Sequence, residues 1–138
     1  MPATNTSGEQ VLEAVVAGPD GANRLFTCVG LANVPIYVSG GQQKTETWTF
    51  LIGPTLTRSQ FYRAIGTASV AFQDVILVPP PIGLGSSGSF TVNINSVEAD
   101  WDDESGRVEV RVELSLSANE TNINISQLRY WVTIPAQI

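Results

Sequence analysis

The sequence predicts an all-β fold, an antiparallel β-sandwich of about seven to eight strands with one short helix, jelly-roll or immunoglobulin-like in general shape. Its clearest feature is a run with an apolar residue at every second position, namely Val108, Val110, Val112, Leu114 and Leu116. A period of two indicates a strand with one buried and one solvated face. The acidic connection 102–106 ends in glycine and returns this strand to Val97–Trp101, so the passage is predicted to be a β-hairpin. Short β-like segments separated by turn residues elsewhere in the chain support the same fold class.

The amino-terminal part is predicted to begin with a disordered lead-in at 1–8, because these residues are small and polar. Residues 9–138 then form a single domain, which is long enough to bury its own core. Gln10–Ala17 and Ala22–Leu31 flank a strong turn sequence at 18–21, and this arrangement favours a first hairpin. The earlier segment also suits a short helix, because its apolar positions fit either period.

The middle of the chain is predicted to contain two strands and the helix. Val34–Val38 is a short strand whose proline cannot donate a ladder hydrogen bond, so an edge position or a bulge is expected there. Gln42–Ile52 is the next strand. The helix is predicted near 57–65, where Thr57 and Gln60 fit a capping box and the apolar residues that follow have helical spacing.

The second half returns to β character. Thr67–Val78 is predicted to be a strand, and a Pro/Gly/Ser-rich loop or arm follows at 79–89. From Phe90 to Trp101 the apolar positions shift by one at Asn95, which would turn the other face inward, so a β-bulge is expected. Gln127–Ile134 is the last predicted strand.

Charge is sparse and acidic. Charged residues make up 14% of the chain, the net charge is −6 and the isoelectric point is about 4.4. This balance argues against electrostatic binding to nucleic acid or to an anionic membrane. Because there is neither a long apolar run nor a secretion signal, a cytoplasmic location or an assembled particle is expected. Leu25–Gln43 and Val75–Val97 carry no charge at all, a surface that is easier to keep soluble when another subunit or partner covers it.

The residue types present leave little material for catalysis. The chain has no histidine and a single cysteine, Cys28, which lies in an apolar run and is predicted to be a buried hydrophobe. Histidine-dependent nucleophiles and zinc sites are therefore excluded. Gly83–Gly88 matches the letters of a dinucleotide-binding motif, but it precedes a strand rather than a helix. A carboxylate pair such as Asp100 with Asp102 would need a cleft that a hairpin face does not offer, so no enzyme is predicted.

Acidic residues cluster in the hairpin turn, at Asp100, Asp102, Asp103 and Glu104. Oxygen ligands in a tight turn suit Ca²⁺, and a weak calcium site is one interpretation. A structural turn is favoured, because Asp, Ser and Gly are preferred in turns for backbone reasons and Ca²⁺ needs six or more oxygens. No other cofactor is predicted. Beyond the turn, Arg107, Glu109, Arg111 and Glu113 alternate on one face and predict a ladder of cross-strand ion pairs.

Aromatic residues are the candidate contact points. Trp131 lies on the strand face opposite Tyr130, so it points either into a second core layer or into an interface, and burial is favoured because large aromatics are mostly buried. Trp101 continues a buried series and is predicted to lie in the core. The candidate interaction residues are Trp131, Trp48 and Tyr37, together with Pro79, Pro80, Pro81, Ile82 and Leu84 of the arm.

These observations favour a non-enzymatic structural or interaction module that self-associates through uncharged strand faces and the arm at 79–89. Its expected partner is a second copy or another protein, with no role for nucleic acid or membrane. The alternative is a lectin-like, carbohydrate-binding module in which Trp48, Trp131 or a tyrosine stacks on a sugar, with the weak calcium site at 100–104.

Overall fold

A computed structural model describes residues 3–15, 23–61, 67–78, 89–119 and 121–137 of the chain, with the backbone alone at Val78. Within these ranges the chain forms strands and a single 3₁₀ turn at Arg58–Gln60. The strands are β1 (Thr6–Val15), β2 (Asn23–Val38), β3 (Gln43–Ile52), β4 (Thr67–Val78), β5 (Ser89–Trp101), β6 (Val108–Asn119) and β7 (Asn122–Gln137). The predicted all-β fold class is confirmed.

The strands form two antiparallel sheets that pack against each other as a sandwich. One sheet has the order β1-β2-β7-β4 and the other the order β3-β6-β5. All the pairings between neighbouring strands are antiparallel. The core lies between the sheets and is built from alternate residues of the central strands, such as Val110 and Leu114 of β6 and Leu128 and Tyr130 of β7, each with no exposed surface. Phe50 of β3 meets Tyr130 across this core, with ring centroids 5.2 Å apart.

Both predicted hairpins pair as expected. β5 and β6 are joined by the acidic turn, with Trp101 opposite Val108, and a register shift between Ile94 and Ser96 confirms the bulge. β1 pairs with β2, so the segment that also suited a helix is a strand as far as Val15. The connection between β1 and β2, residues 16–22, lies outside the described residues.

Two segments differ from the sequence prediction in the amino-terminal half. Residues predicted to be a disordered lead-in instead take part in the sheets: Thr4 N donates to Thr49 O at 2.9 Å, and β1 starts at Thr6. Val34–Val38 is not a separate strand but the second half of β2, and there β2 pairs with β7 alone, because its register with β1 begins at Ala32. A register shift between Asn33 and Ile36 accommodates the intervening proline, so the chain continues past it with a bulge.

The predicted helix near 57–65 is reduced to the 3₁₀ turn in the part of the chain that the structure describes, because residues 62–66 lie outside it. Thr57 N donates to the side-chain oxygen of Gln60 at 2.8 Å, which is one half of the predicted capping box. Most of the arm predicted at 79–89, including Pro79, Pro80, Pro81, Ile82 and Leu84, also lies outside the described residues; Ser89 begins β5.

Candidate functional site

The outer face of the β3-β6-β5 sheet is polar and hydrogen-bonded to itself. Thr45, Ser115 and Asn93 lie opposite one another across the three strands. Asn95 Nδ2 donates to Ser115 Oγ at 2.6 Å and to Glu113 Oε1 at 3.1 Å. Since these side chains are polar and bond to each other, this face has the composition of the solvated side of a sandwich.

The charged end of the same face does not form the predicted ladder of cross-strand ion pairs. Arg111 Nη2 lies 3.9 Å from Glu109 Oε1, a neighbour along the same strand, and both side chains are substantially exposed. Arg107 turns away and donates from Nε to Gly53 O at 2.9 Å. Arg107 therefore serves the interior of the fold rather than a surface ladder.

The outer face of the β1-β2-β7-β4 sheet is different, because apolar side chains cover it. Residues that oppose each other in an antiparallel pair lie on the same face, and Gln10, Val29, Trp131 and Ser69 form one such line across all four strands. The adjacent lines add Leu12, Leu31 and Ala71, together with the polar residues Thr27, Thr67, Thr133 and Arg129. We call this surface the Trp131 face and define it by Leu12, Ala14, Leu25, Val29, Leu31, Ala71 and Trp131.

Trp131 is the largest side chain of this face and is 43% exposed. The expectation that it would be buried in a second core layer or under a helix is wrong: it points outward, as strand parity indicated. Its neighbour across the β7–β2 pair is Val29, and across the β7–β4 pair it is Ser69. Arg129, two residues along, donates to Gln73 Oε1 at 3.0 Å and so lies against the sheet edge.

β2 is the reason this face is apolar. Phe26, Cys28 and Ala32 are buried on its inner side, while Leu25, Val29 and Leu31 alternate with them on the outer side. A strand with apolar residues on both faces is typical of one that is covered on both sides. The uncharged, largely apolar run from Leu25 to Leu31 was the sequence signal for this second surface.

Tyr37 lies farther along the same sheet and is 52% exposed. It opposes Asn124 of β7, which in turn opposes Ile76 of β4, so these three side chains form another line across the outer surface. Ile76 is 57% exposed. Two of the predicted interaction residues, Trp131 and Tyr37, therefore share one sheet surface.

The other two tryptophans are held inside or at the rim of the fold. Trp48 packs against the core and donates from Nε1 to Glu46 Oε2 at 2.9 Å, so it does not join the exposed surface. Trp101, predicted to be core, is half-buried and donates from Nε1 to Leu56 O at 2.8 Å. Together with Arg58, Phe61, Asp100 and Asp103, it lines an open cleft of about 500 Å³, which we call the Trp101 cleft.

The acidic turn is organised by Asp102. Its Oδ2 accepts hydrogen bonds from Ser105 N at 2.9 Å and from Ser105 Oγ at 2.6 Å. These bonds favour the ionised carboxylate and lower the pKa of Asp102. Asp100 Oδ1 accepts from the backbone N–H of Trp101 at 2.8 Å. No group of three or more potential metal-ligating His, Cys, Asp or Glu side chains occurs among the described residues.

A polar cluster that the sequence did not reveal joins the two sheets along their β1–β3 side. Glu9 Oε2 accepts from Tyr130 Oη at 2.7 Å, and its Oε1 accepts from Gly53 N at 2.9 Å. Arg107 Nη2 lies 3.5 Å from Glu9 Oε1, whose side chain is only 17% exposed. We call Glu9, Gly53, Arg107 and Tyr130 the Glu9 clasp.

Backbone geometry aims Glu9 into this cluster. The β1–β2 register shifts between Ser7 and Gln10, so Gly8 and Glu9 together face Gly30. Gly8 has a φ of 62°, a left-handed conformation that glycine adopts readily at such bulges. The bulge turns the Glu9 side chain inward, towards Tyr130, instead of along the sheet edge.

Cys28 lies next to the clasp in the core. Its side chain has no exposed surface, which confirms that it is a buried residue. Burial raises the pKa of the Cys28 thiol to about 12; the charge of Glu9 adds to this effect and that of Arg107 opposes it. Such a thiol stays protonated at neutral pH and is a poor nucleophile.

Compared with protein-family models, curated proteins and solved structures, the chain shows no significant match. Among the described residues no helix has the length and apolar character needed to cross a membrane.

Proposed function

We propose that this chain is a non-enzymatic structural module that assembles with a second copy of itself through the Trp131 face. The observation that supports this proposal is the contrast between the two outer sheet surfaces. One is polar and hydrogen-bonded to itself, as a solvated face should be. The other presents Trp131 and Leu12, 43% and 64% exposed, among further aliphatic side chains. Contiguous apolar surface of this kind marks interaction sites.

The charge distribution favours a second copy of the chain as the partner that binds the Trp131 face. The chain carries a net charge of −6, so most contacts between two copies would bring acidic groups together. Four lines of facing residues cross the sheet through Leu25, Thr27, Val29 and Leu31. They contain one charged side chain, Arg129. The acidic hairpin, with Glu98 and Glu109, lies on the opposite sheet. Two copies can thus meet at the Trp131 face without pairing like charges.

The composition of the face fits a protein partner better than a sugar. Trp131, 43% exposed, lies beside Val29 and near Leu31 and Ala71, while Gln10, Ser69, Thr133 and Arg129 supply polar groups around it, a mixed composition that is usual for a protein interface. Leu12, Leu25 and Leu31, the aliphatic part of this face, offer no hydrogen bonds to the hydroxyl groups of a sugar. A two-fold contact in which the same patch meets itself is the commonest arrangement for such a surface.

The test is solution mass by size-exclusion chromatography with light scattering over a hundredfold concentration range. Ser69→Glu places a negative charge opposite Trp131, and Thr91→Glu places the same charge on an exposed position of β5, an edge strand of the other sheet. We expect an oligomer for the wild type and Thr91→Glu, and a shift to monomer for Ser69→Glu and Trp131→Ala. A monomeric wild type, or an oligomer that Ser69→Glu leaves intact, would overturn the proposal.

Carbohydrate binding is the second candidate, and the Trp101 cleft supports it. The indole is fixed by its bond to Leu56 O, while Arg58, Asp100 and Asp103 supply charged groups around it. An aromatic surface beside a few polar groups is a usual composition for a small-ligand site. Addition of soluble oligosaccharides should then change tryptophan fluorescence in the wild type and in Trp131→Phe but not in Trp101→Phe. An unchanged signal across a broad oligosaccharide panel would count against this function.

A further inference from the structure

β4 is an edge strand of its sheet, and its last part carries aliphatic side chains that are exposed on both faces. Val75 and Leu77 oppose buried isoleucines of β7, so they occupy inward positions, yet they are 39% and 40% exposed. Ile76, between them, points outward and is 57% exposed. No described strand pairs with the free side of β4. The backbone N–H and C=O groups along that side are therefore available to an added strand.

The opposing sheet leaves the same corner of the core open. Phe90, near the start of β5, opposes the buried Ala118 and so occupies an inward position, but it is 49% exposed. Leu77 opposes Ile123, and the short connection from β6 to β7 separates Ala118 from Ile123. Phe90 and Leu77 therefore lie at the same end of the sandwich, on the side where β4 lies against β5. A strand added to β4 would place its own inward side chains beside Phe90.

The other edge strands carry features that discourage pairing with a further strand, namely charged residues and bulges. β3 and β5 each contain two charged residues, and β5 also has the bulge described above. β1 contains Glu9 and Glu13, and Glu13 occupies a half-exposed inward position, opposite Phe26. From Val75 to Leu77, β4 has no charged residue and a regular register with β7. Among the described strands, β4 therefore offers the edge best suited to pairing.

A second copy of β4 fits this edge, because the segment is complementary to itself. With Ile76 facing Ile76 of the second copy in an antiparallel pair, each Val75 faces a Leu77. Asp74, the nearest charged residue, then faces Val78 of the second copy. The two Asp74 residues are thus four positions apart along the strands, about 13 Å. Because this separation exceeds the Debye length of about 8 Å at physiological salt, their repulsion is largely screened.

We infer that copies of this chain also pair edge to edge through β4, in an antiparallel register centred on Ile76, so that two four-stranded sheets become one sheet of eight strands. The inference rests on the self-association proposed above and adds a second contact to it. Residues that face each other in an antiparallel pair lie on the same side of the sheet, so both Trp131 faces then point the same way. This doubled face meets that of a second pair, which gives a tetramer with two-fold symmetry at both contacts.

The edge contact depends on the face contact. It joins only the segment from Asp74 to Val78 of each chain, and two-stranded pairing of this length is marginal in water. In the tetramer, two Trp131-face contacts hold the β4 edges together, which raises their effective concentration. Loss of the face contact is therefore expected to give monomers, whereas loss of the edge contact is expected to give dimers joined through the Trp131 face.

Val75→Lys tests the edge contact by solution mass, measured by light scattering after size-exclusion chromatography. An inward-pointing charge on an edge strand opposes the addition of a further strand. Val11→Lys is the matched control, because Val11 occupies an inward position of β1, the other edge strand of the same sheet, and is exposed to nearly the same extent, 42% against 39%. Both positions point away from the Trp131 face. We expect Val75→Lys to halve the mass of the wild type and Val11→Lys to leave it unchanged.

A cross-link identifies the paired strand without the need for a buried charge. Val75→Cys and Val11→Cys are each made together with Cys28→Ala, and the assembled proteins are treated with a short bismaleimide. In the inferred register the two thiols introduced by Val75→Cys lie on diagonal positions, about 7–8 Å apart. We expect covalent dimers from Val75→Cys and none from Val11→Cys.

A wild-type oligomer whose mass Val75→Lys leaves unchanged would overturn the edge contact, and the proposed function would stand if Ser69→Glu dissociates that oligomer. An equal loss of mass in Val11→Lys would also reject pairing through β4. An oligomer that Val75→Lys dissociates and Ser69→Glu leaves intact would overturn the proposed function and support the edge contact. If Val75→Lys does not fold, the cross-link decides: covalent dimers from Val75→Cys support pairing through β4, and their absence rejects it.

Discussion

The phenol of Tyr130 passes directly over Gly30. A Cβ placed on Gly30 would lie 2.5 Å from Tyr130 Oη, 2.8 Å from its Cζ and 3.1 Å from the Cα of Glu9. Real Cβ atoms do not approach other atoms so closely, so any side chain at this position must displace the tyrosine or β1. Gly30 thus provides the space in which β7 delivers a hydroxyl group to the carboxylate of Glu9.

Gly30→Ala is expected to lower the free energy of unfolding by about 1–3 kcal/mol, the usual cost of overpacking. Tyr130→Phe removes the atom nearest to the added methyl group, so part of this loss should be recovered in the Gly30→Ala/Tyr130→Phe double variant. Urea unfolding of the wild type, both single variants and the double variant measures this coupling. Strictly additive effects would show that the phenol does not limit the space above Gly30.

Glu9→Ala is expected to destabilise the fold by about 1–3 kcal/mol, the range for leaving buried hydrogen-bonding groups without a partner. It leaves Tyr130 Oη and Gly53 N without their acceptor and Arg107 without its counter-charge. Glu13→Ala is the matched control on the same strand, because Glu13 pairs with Arg24 at 3.0 Å with half its side chain exposed. Exposed pairs are worth about 0–1 kcal/mol. Equal losses for the two variants in urea unfolding would contradict a structural role for the clasp.

The strand pattern of this chain was predictable because it is local. The alternation through Val108–Leu116 indicated both the strand and its buried face, and the phase slip at Asn95 indicated the bulge. Pro35 indicated an edge position or a bulge, and a register shift between Asn33 and Ile36 does accommodate it, but β2 continues past the proline instead of forming a separate strand. Its effect depended on pairing with β7, which the local sequence does not encode.

The candidate surfaces depended on contacts between distant residues. Glu9 and Tyr130 are 121 positions apart, and no local pattern marks either as a partner of the other. Because successive residues of a strand point to opposite faces, the sequence did indicate that Trp131 points away from the face of Tyr130. The general tendency of tryptophan to be buried nevertheless favoured a buried Trp131, which was wrong. Which side of a sheet is covered depends on the whole topology, and no described strand covers the outer side of β7.

Asp102→Asn is expected to lower stability at neutral pH more than Asp103→Asn does, although both remove one negative charge from the same turn. The Asp102 carboxylate accepts two hydrogen bonds from Ser105, which hold its pKa below the ordinary value of 3.8. A lowered pKa stabilises the fold above that ordinary value, and this contribution is lost as the pH falls through the lowered pKa. Thermal unfolding between pH 7 and pH 2 should therefore show the gap between wild type and Asp102→Asn closing below about pH 4. A stability difference between wild type and Asp102→Asn that does not change with pH would contradict a role for the carboxylate charge.

Alkaline conditions are expected to destabilise the protein through two buried acids. Burial raises the pKa of Cys28 from 9.0 to about 12, and burial together with the bond to Glu9 raises the pKa of Tyr130 above its ordinary value of 10.0. In both cases the fold favours the protonated form, so this stability is complete below the ordinary pKa and is lost as the pH rises towards the raised value. Each group adds a slope of about 1.4 kcal/mol per pH unit once its unfolded form ionises.

Cys28→Ala isolates the thiol contribution. It lowers stability at neutral pH by the cost of a small cavity, but it should also flatten the fall in stability between pH 9 and pH 10. Tyr130→Phe should leave that interval unchanged and flatten the fall only above pH 10. Urea unfolding at half-unit steps from pH 8 to pH 11 separates the thiol and phenol contributions. The slope of the unfolding free energy against pH depends on the number of protons released, whereas a cavity changes only the free energy itself. A wild type equally stable at pH 8 and pH 11 would mean that neither group is shielded from water as this structure requires.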